Sequence, residues 1–146
     1  MSSQPPPDAP IPLVGFGTYQ IRDGEAHRCV RRALEVGYRH VDTAEGYRNE
    51  NGVGRALREG MKKQGLTRDD LFVTTKLWPG RSTGRQRPKT YEATLKALEA
   101  SLGRMQLEHV DLYLIHAPFP VEDRTRASSS SHAWVRLHPA LPAPSV

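Results

Sequence analysis

Four side chains of this 146-residue chain, Asp42, Tyr47, Lys76 and His116, are of types that can move a proton together. A phenol titrates near pH ~10 and by itself is a poor acid–base group at neutral pH. An ammonium beside it favours the phenolate, and a carboxylate can hold that ammonium in place. A histidine at the same spot can orient a carbonyl oxygen or share its proton. Such a group suits proton transfer to a carbonyl oxygen. The four residues are far apart in sequence, so the chemistry depends on the elements that bring them together.

Apolar periodicity predicts those elements. Residues 11–14 (IPLV) form a short apolar run ending in Gly15-Phe16-Gly17, as a buried strand ends in a loop. A helix is predicted over Glu25–Val36, with Ala26, Cys29, Val30, Ala33 and Leu34 on one face and Gly37 just past its end. Strands over Arg39–Thr43, Leu71–Leu77 and Val110–Ile115 alternate with helices over Asn51–Gly60 and Thr90–Met105. The last helix puts Tyr91, Thr94, Leu95, Leu98, Leu102 and Met105 on one face. Strands and helices alternating at roughly 30-residue steps mean βαβ units and a parallel α/β sheet. Right-handed crossovers leave a doubly wound open sheet or part of a (β/α)8 barrel. In both, reactive groups gather at the carboxyl ends of strands. Those ends here are Gly17-Thr18, Asp42, Lys76 and His116, with Tyr47 in the loop after Asp42.

The flanks read differently. Residues 1–10 are rich in Pro and Ser and are expected to be disordered. Residues 117–146 hold Ser128–Ser131 and five prolines without glycine, and they show neither period, so a disordered tail is expected there. The stretch Gly80–Lys89 reads as a long basic loop between the third strand and third helix.

A hydrophobic content of 37% with 25% charged residues fits one globular domain over residues 11–116. One cysteine excludes an internal disulfide framework and a Cys-rich zinc module. His132 and His138 in the tail make no metal site, and none is expected elsewhere. No apolar run approaches a membrane span, and the first ten residues lack a signal-peptide pattern, so a cytoplasmic protein without a membrane partner is expected. A net charge of +5 is thinly spread and does not point to nucleic acid.

Blander readings exist for single residues. Asp42 could cap a strand end, Tyr47 could pack, and His116 could be a core histidine. Lys76 in an apolar strand is harder to set aside, because a charge there needs a partner. Gly15-Phe16-Gly17 invites a dinucleotide-binding reading with Asp42 as the ribose acid, but position 20 is Gln20 and no helix opens at Gly17. Cys29 is expected in the core. Arg81, Arg85, Arg87 and Lys89 are expected to be solvated rather than to hold phosphate.

Taken together, the motifs resemble the aldo-keto reductase family. The segment from Gly37 to Gly54 (GYRHVDTAEGYRNENGVG) matches the family's first signature without a break. Gly15-Phe16-Gly17-Thr18, Phe72–Trp78 (FVTTKLW) and Asp111–His116 (DLYLIH) match three further segments in order, so the resemblance covers residues 11–116. It implies a partial (β/α)8 barrel comprising the first four βα units. It also implies NADPH as hydride donor and small aldehydes or ketones as substrates. Tyr47 would be the general acid, with Lys76 and Asp42 tuning it and His116 orienting the carbonyl. Gly17, Thr18 and Asp42 would meet the cofactor, and Tyr47 and His116 the substrate. Three features depart from the pattern: Ala117-Pro118 stands where Trp-Pro is usual, the Gly80–Lys89 loop is long, and the next signature has no counterpart after His116. A truncated segment that associates through open sheet edges, with itself or another protein, is therefore the rival reading.

Overall fold

The computed structural model describes residues 11–80, 89–117 and 134–135. Its sheet runs β1 (Phe16–Gly17), β2 (His40–Asp42), β3 (Phe72–Leu77), β4 (Leu112–Ile115) and β5 (Trp134–Val135), in that spatial order. The first four strands are parallel. Helices α1 (Asp23–Glu35), α2 (Glu50–Gln64) and α3 (Tyr91–Met105) alternate with them.

Strand alternation sorts the sheet into two faces. Val41 and Val73 join Ala26, Val30 and Leu34 of α1 and Val53, Ala56 and Leu57 of α2 in one core. Leu77 and Tyr113 pack on Ala97 of α3 in a second. The register sets Gly17 beside Asp42, Asp42 beside Thr74, and Lys76 beside Leu114, so these residues lie on the other face. A one-residue slip in any strand would send its reactive side chain into the helix layer.

Helix ends follow local chemistry. Gly37 (φ 102°) closes α1, its N–H donating to the Leu34 carbonyl and that of Tyr38 to the Ala33 carbonyl. The Thr90 hydroxyl caps α3 by accepting from the Ala93 N–H. At Gly54 a Cβ would lie 2.1 Å from the Met105 carbonyl oxygen, so only glycine lets α2 approach the end of α3 so closely.

Several boundaries differ from the sequence reading. Residues 11–14 form no strand, Pro12 having no N–H to give a ladder, and the first strand is Phe16–Gly17, in the segment expected to be the following loop. The second helix runs on to Gln64 and stops at Gly65 (φ 66°), while Gly60 lies inside it, pressed on Leu34. In α3 the buried positions are Ala97, Ser101 and Met105, whereas Tyr91 in the first turn is 63% exposed. Cys29 is half-buried at the margin of the α1 core face rather than inside it. The region after His116 shows no strand period in its sequence, yet Trp134–Val135 pairs antiparallel with Tyr113–Leu114 and occupies the outer edge of β4. The remaining tail, including His132 and His138, lies outside the described residues, as do residues 1–10 and the basic-loop residues Arg81, Arg85 and Arg87. Among the described residues no helix is long and apolar enough to cross a membrane.

Candidate active site

The carboxyl ends of β1 to β4 bring Asp42, Tyr47, Lys76 and His116 together. Lys76 Nζ lies 2.6 and 2.7 Å from the two carboxylate oxygens of Asp42. It also donates to the Thr43 carbonyl at 3.0 Å and to Tyr47 Oη at 3.4 Å. An ammonium has three protons, and these partners use them all. The charge that looked costly in an apolar strand is thus paired and fully hydrogen-bonded.

Tyr47 is delivered by a single 3₁₀ turn, Glu45–Tyr47, which Arg48 ends in the left-handed region (φ 56°). Its ring meets that of Tyr19 at 5.1 Å and that of His116 edge-on at 5.3 Å. The Trp78 indole covers the other side of His116 at 5.5 Å. His116 continues the ladder beyond β4, its N–H donating to the Leu77 carbonyl. Burial, and then the nearby Lys76 charge, lowers its pKa, with Asp42 opposing. The imidazole is therefore neutral at pH 7. Its Nδ1 is closed to solvent and has no partner among the described residues.

Two of the three expected cofactor contacts stand on this face. A Cβ at Gly17 would meet nothing within 4 Å, so the backbone beside Asp42 is open, and the Asp42 side chain is 32% exposed. Thr18 is placed differently. It is 0% exposed, its N–H and hydroxyl both donate to the Asp42 carbonyl, and its own carbonyl accepts from Asn49 and Ile21. No surface of Thr18 is left for a ligand to touch; it holds the end of β2 instead.

Three residues around the site escaped the sequence reading. Asn49 precedes α2, where an asparagine ordinarily caps the helix with its side chain. Here the buried amide instead accepts from the Thr43 hydroxyl and donates to the Thr18 and Ile21 carbonyls, each at 2.8 Å. Glu50 is buried, accepting from the Thr75 hydroxyl at 2.6 Å and from Arg104 Nε at 2.7 Å. Glu45 accepts from the Trp78 N–H at 3.0 Å and pairs with Lys89 at 2.9 Å, so Lys89 is ion-paired rather than solvated. An asparagine and a glutamate opening a helix look like ordinary surface residues, and only the tertiary partners distinguish them.

A parallel sheet that gathers an Asp–Lys–Tyr–His cluster at its strand ends places the chain in the α/β class whose sites lie along that rim. Residues 13–138 match the Aldo/keto reductase family, and the chain belongs to that family. The match runs past His116, further than the motifs alone reach. An aldo-keto reductase of Mycolicibacterium smegmatis is 42% identical over 126 residues, covering 86% of this chain and 42% of the relative. A methylglyoxal reductase of Yersinia pestis is 46% identical over 113 residues, covering 77% and 36%. The crystal structure of a Bombyx mori aldo-keto reductase in complex with NADP superposes with a TM-score of 0.65 at 38% identity, covering 74% of this chain and 35% of that one. The fold is thus the first part of a (β/α)8 barrel. The chain spans about two fifths of the length of the first curated relatives it matches.

Proposed function

We propose that this chain carries the proton-donating side of an NADPH-dependent carbonyl reductase acting on small aldehydes or ketones. The observation that carries the reading is the Lys76 ammonium, shared between Asp42 and Tyr47 Oη. Because Lys76 donates to the phenol oxygen, Tyr47 keeps its own proton for a substrate oxygen. The Lys76 contact strengthens as that phenol oxygen gains negative charge. Neutral His116, its ring against Tyr47, can donate one N–H to the same carbonyl oxygen and fix its direction. Bound NADPH would supply the hydride to the carbonyl carbon. Open Gly17 and part-exposed Asp42 fit its nicotinamide end, and Thr18 does not. The methylglyoxal reductase among the relatives and the NADP complex among the structural neighbours support this choice of substrate class and cofactor. The same reading places the protein in the cytoplasm, where the single thiol of Cys29 stays reduced.

A chimera tests it: residues 13–116 of this chain replace the matching part of the Yersinia pestis methylglyoxal reductase. The chimera should oxidise NADPH with methylglyoxal. Tyr47→Phe should slow it by about 10²–10⁴-fold with NADPH binding retained. A Tyr47→Phe chimera that keeps most of its turnover would remove Tyr47 as the acid.

A second reading, a non-catalytic segment that associates through its sheet edge, is favoured by β1, whose outer edge has no strand partner among the described residues. Titrating the 146-residue chain with NADPH separates the two. Saturable binding supports the enzyme.

A further inference from the structure

We infer that Asn49 is a positioning residue for the proton donor, setting the place of the Lys76 ammonium through Thr43 and that of Asp42 through Thr18. The inference rests on reading Asp42, Tyr47 and Lys76 as the reacting group. The Asn49 side chain hydrogen-bonds to none of the three. Its side chain is buried and its three hydrogen bonds run to three separate pieces of the rim. Its Oδ1 holds the hydroxyl of Thr43, whose carbonyl accepts from Lys76 Nζ at 3.0 Å. Its Nδ2 holds the carbonyl of Thr18, the residue whose N–H and hydroxyl both clamp the Asp42 carbonyl. The second Nδ2 proton fixes the Ile21 carbonyl, just ahead of α1. Tyr47 ends the 3₁₀ turn two residues before Asn49, so the anchor also limits where the phenol can swing. One amide therefore ties the loops after β1 and β2 to the start of α2. A displacement there would be felt at Lys76, Asp42 and Tyr47 at once.

Competitive acetylation of the full chain tests this, with the rate at Lys76 measured by mass spectrometry relative to exposed Lys96 on α3. Thr43→Val cuts only the Thr43–Asn49 link with little change of shape, and Asn49→Ala cuts all three. Leu57→Ala, in the α2 core away from this network, serves as the control for general loosening. Lys76 should acetylate about tenfold faster in Thr43→Val and in Asn49→Ala, as loss of a buried hydrogen bond implies. It should keep its rate in Leu57→Ala. If Asn49→Ala does not fold, Thr43→Val decides the matter. An unchanged Lys76 rate in Thr43→Val, or an equal rise in Leu57→Ala, overturns the inference. Labelling needs no turnover, so a chain without reductase activity would count against the proposed function and leave this result standing. In the chimera, the same Thr43→Val change should lower kcat and shift the pH–rate profile with KM for methylglyoxal little altered.

Discussion

Lys76 on β3 reaches both carboxylate oxygens of Asp42 on the adjoining strand β2, at 2.6 and 2.7 Å, with its remaining donors turned to the Thr43 carbonyl and Tyr47 Oη. The pair is part-buried, so cutting it costs less than in a sealed core but more than at a free surface. Lys76→Met keeps the stem and deletes the charge. We expect a stability loss of about 1–3 kcal/mol, because Asp42 remains one-third exposed and water can partly replace its partner. In the chimera, turnover should fall sharply and its pH dependence should change. An unchanged pH–rate profile would take Lys76 out of the mechanism.

Glu50 and Arg104 offer a cleaner test of a buried charge. The Glu50 carboxylate is nearly sealed, and Arg104 is its only cationic partner among the described residues. Arg104→Met should cost about 3 kcal/mol by stranding that carboxylate beside the Thr75 hydroxyl. Adding Glu50→Gln removes the stranded charge, so the double variant should be more stable than Arg104→Met alone. Urea unfolding midpoints of the three proteins check the order. A double variant less stable than the single one would mean that the Glu50 carboxylate is held by the Thr75 hydroxyl and the start of α2 and is not stranded by the loss of Arg104.

Three part-buried histidines set an acid limit. Burial lowers the pKa of His40, His109 and His116 below their ordinary value of 6.5, with nearby positive charge adding at each, from Arg68 at His109 and from Lys76 at the other two. Below about pH 6.5 the unfolded chain binds protons that the folded chain refuses. Stability is therefore full above about pH 6.5 and is lost as pH falls through the folded values. Glu35, Glu59 and Asp70, held low by their partners, lose their contribution in a separate and more acid window. Urea midpoints should drop between about pH 7.5 and 5.5, and His40→Gln should flatten part of that drop while still reaching Thr74. A midpoint that stays level over this range would contradict it.

Much of this was legible in the sequence because the signals were local. Apolar runs and period-3.6 patterns located β2, β3, β4 and three helices, and strand-end placement alone gathered Asp42, Lys76 and His116, whereas the first strand lies in the segment expected to be its loop. What stayed hidden depends on partners distant in sequence. Ser101 sits in the core because Arg104 donates to it, and Thr18 turns inward because the Asp42 carbonyl is the acceptor within reach. Gly60 looked like a helix stop, yet it is a packing site for Leu34, and the stop is the positive-φ Gly65. No periodicity encodes such pairings.

Among the described residues the sheet ends at β1 on one side and at β5 on the other, and β1 is the edge with exposed apolar side chains beside it. Beside it, Val14 is 65% exposed, and Leu13 before it is fully exposed. Across the sheet, Ile115 is 43% exposed on the helix side of β4. Apolar side chains next to an open strand edge favour pairing with another chain, since backbone donors and apolar surface are satisfied together. Light scattering of the purified 146-residue chain at micromolar concentration should therefore report a species larger than a monomer. Val14→Lys puts a charge next to the open edge without touching Asp42, Tyr47, Lys76 or His116, and it should shift the population toward monomer. A monodisperse wild-type monomer, or a Val14→Lys variant with the same mass as wild type, would show that the β1 edge is not the surface through which copies meet.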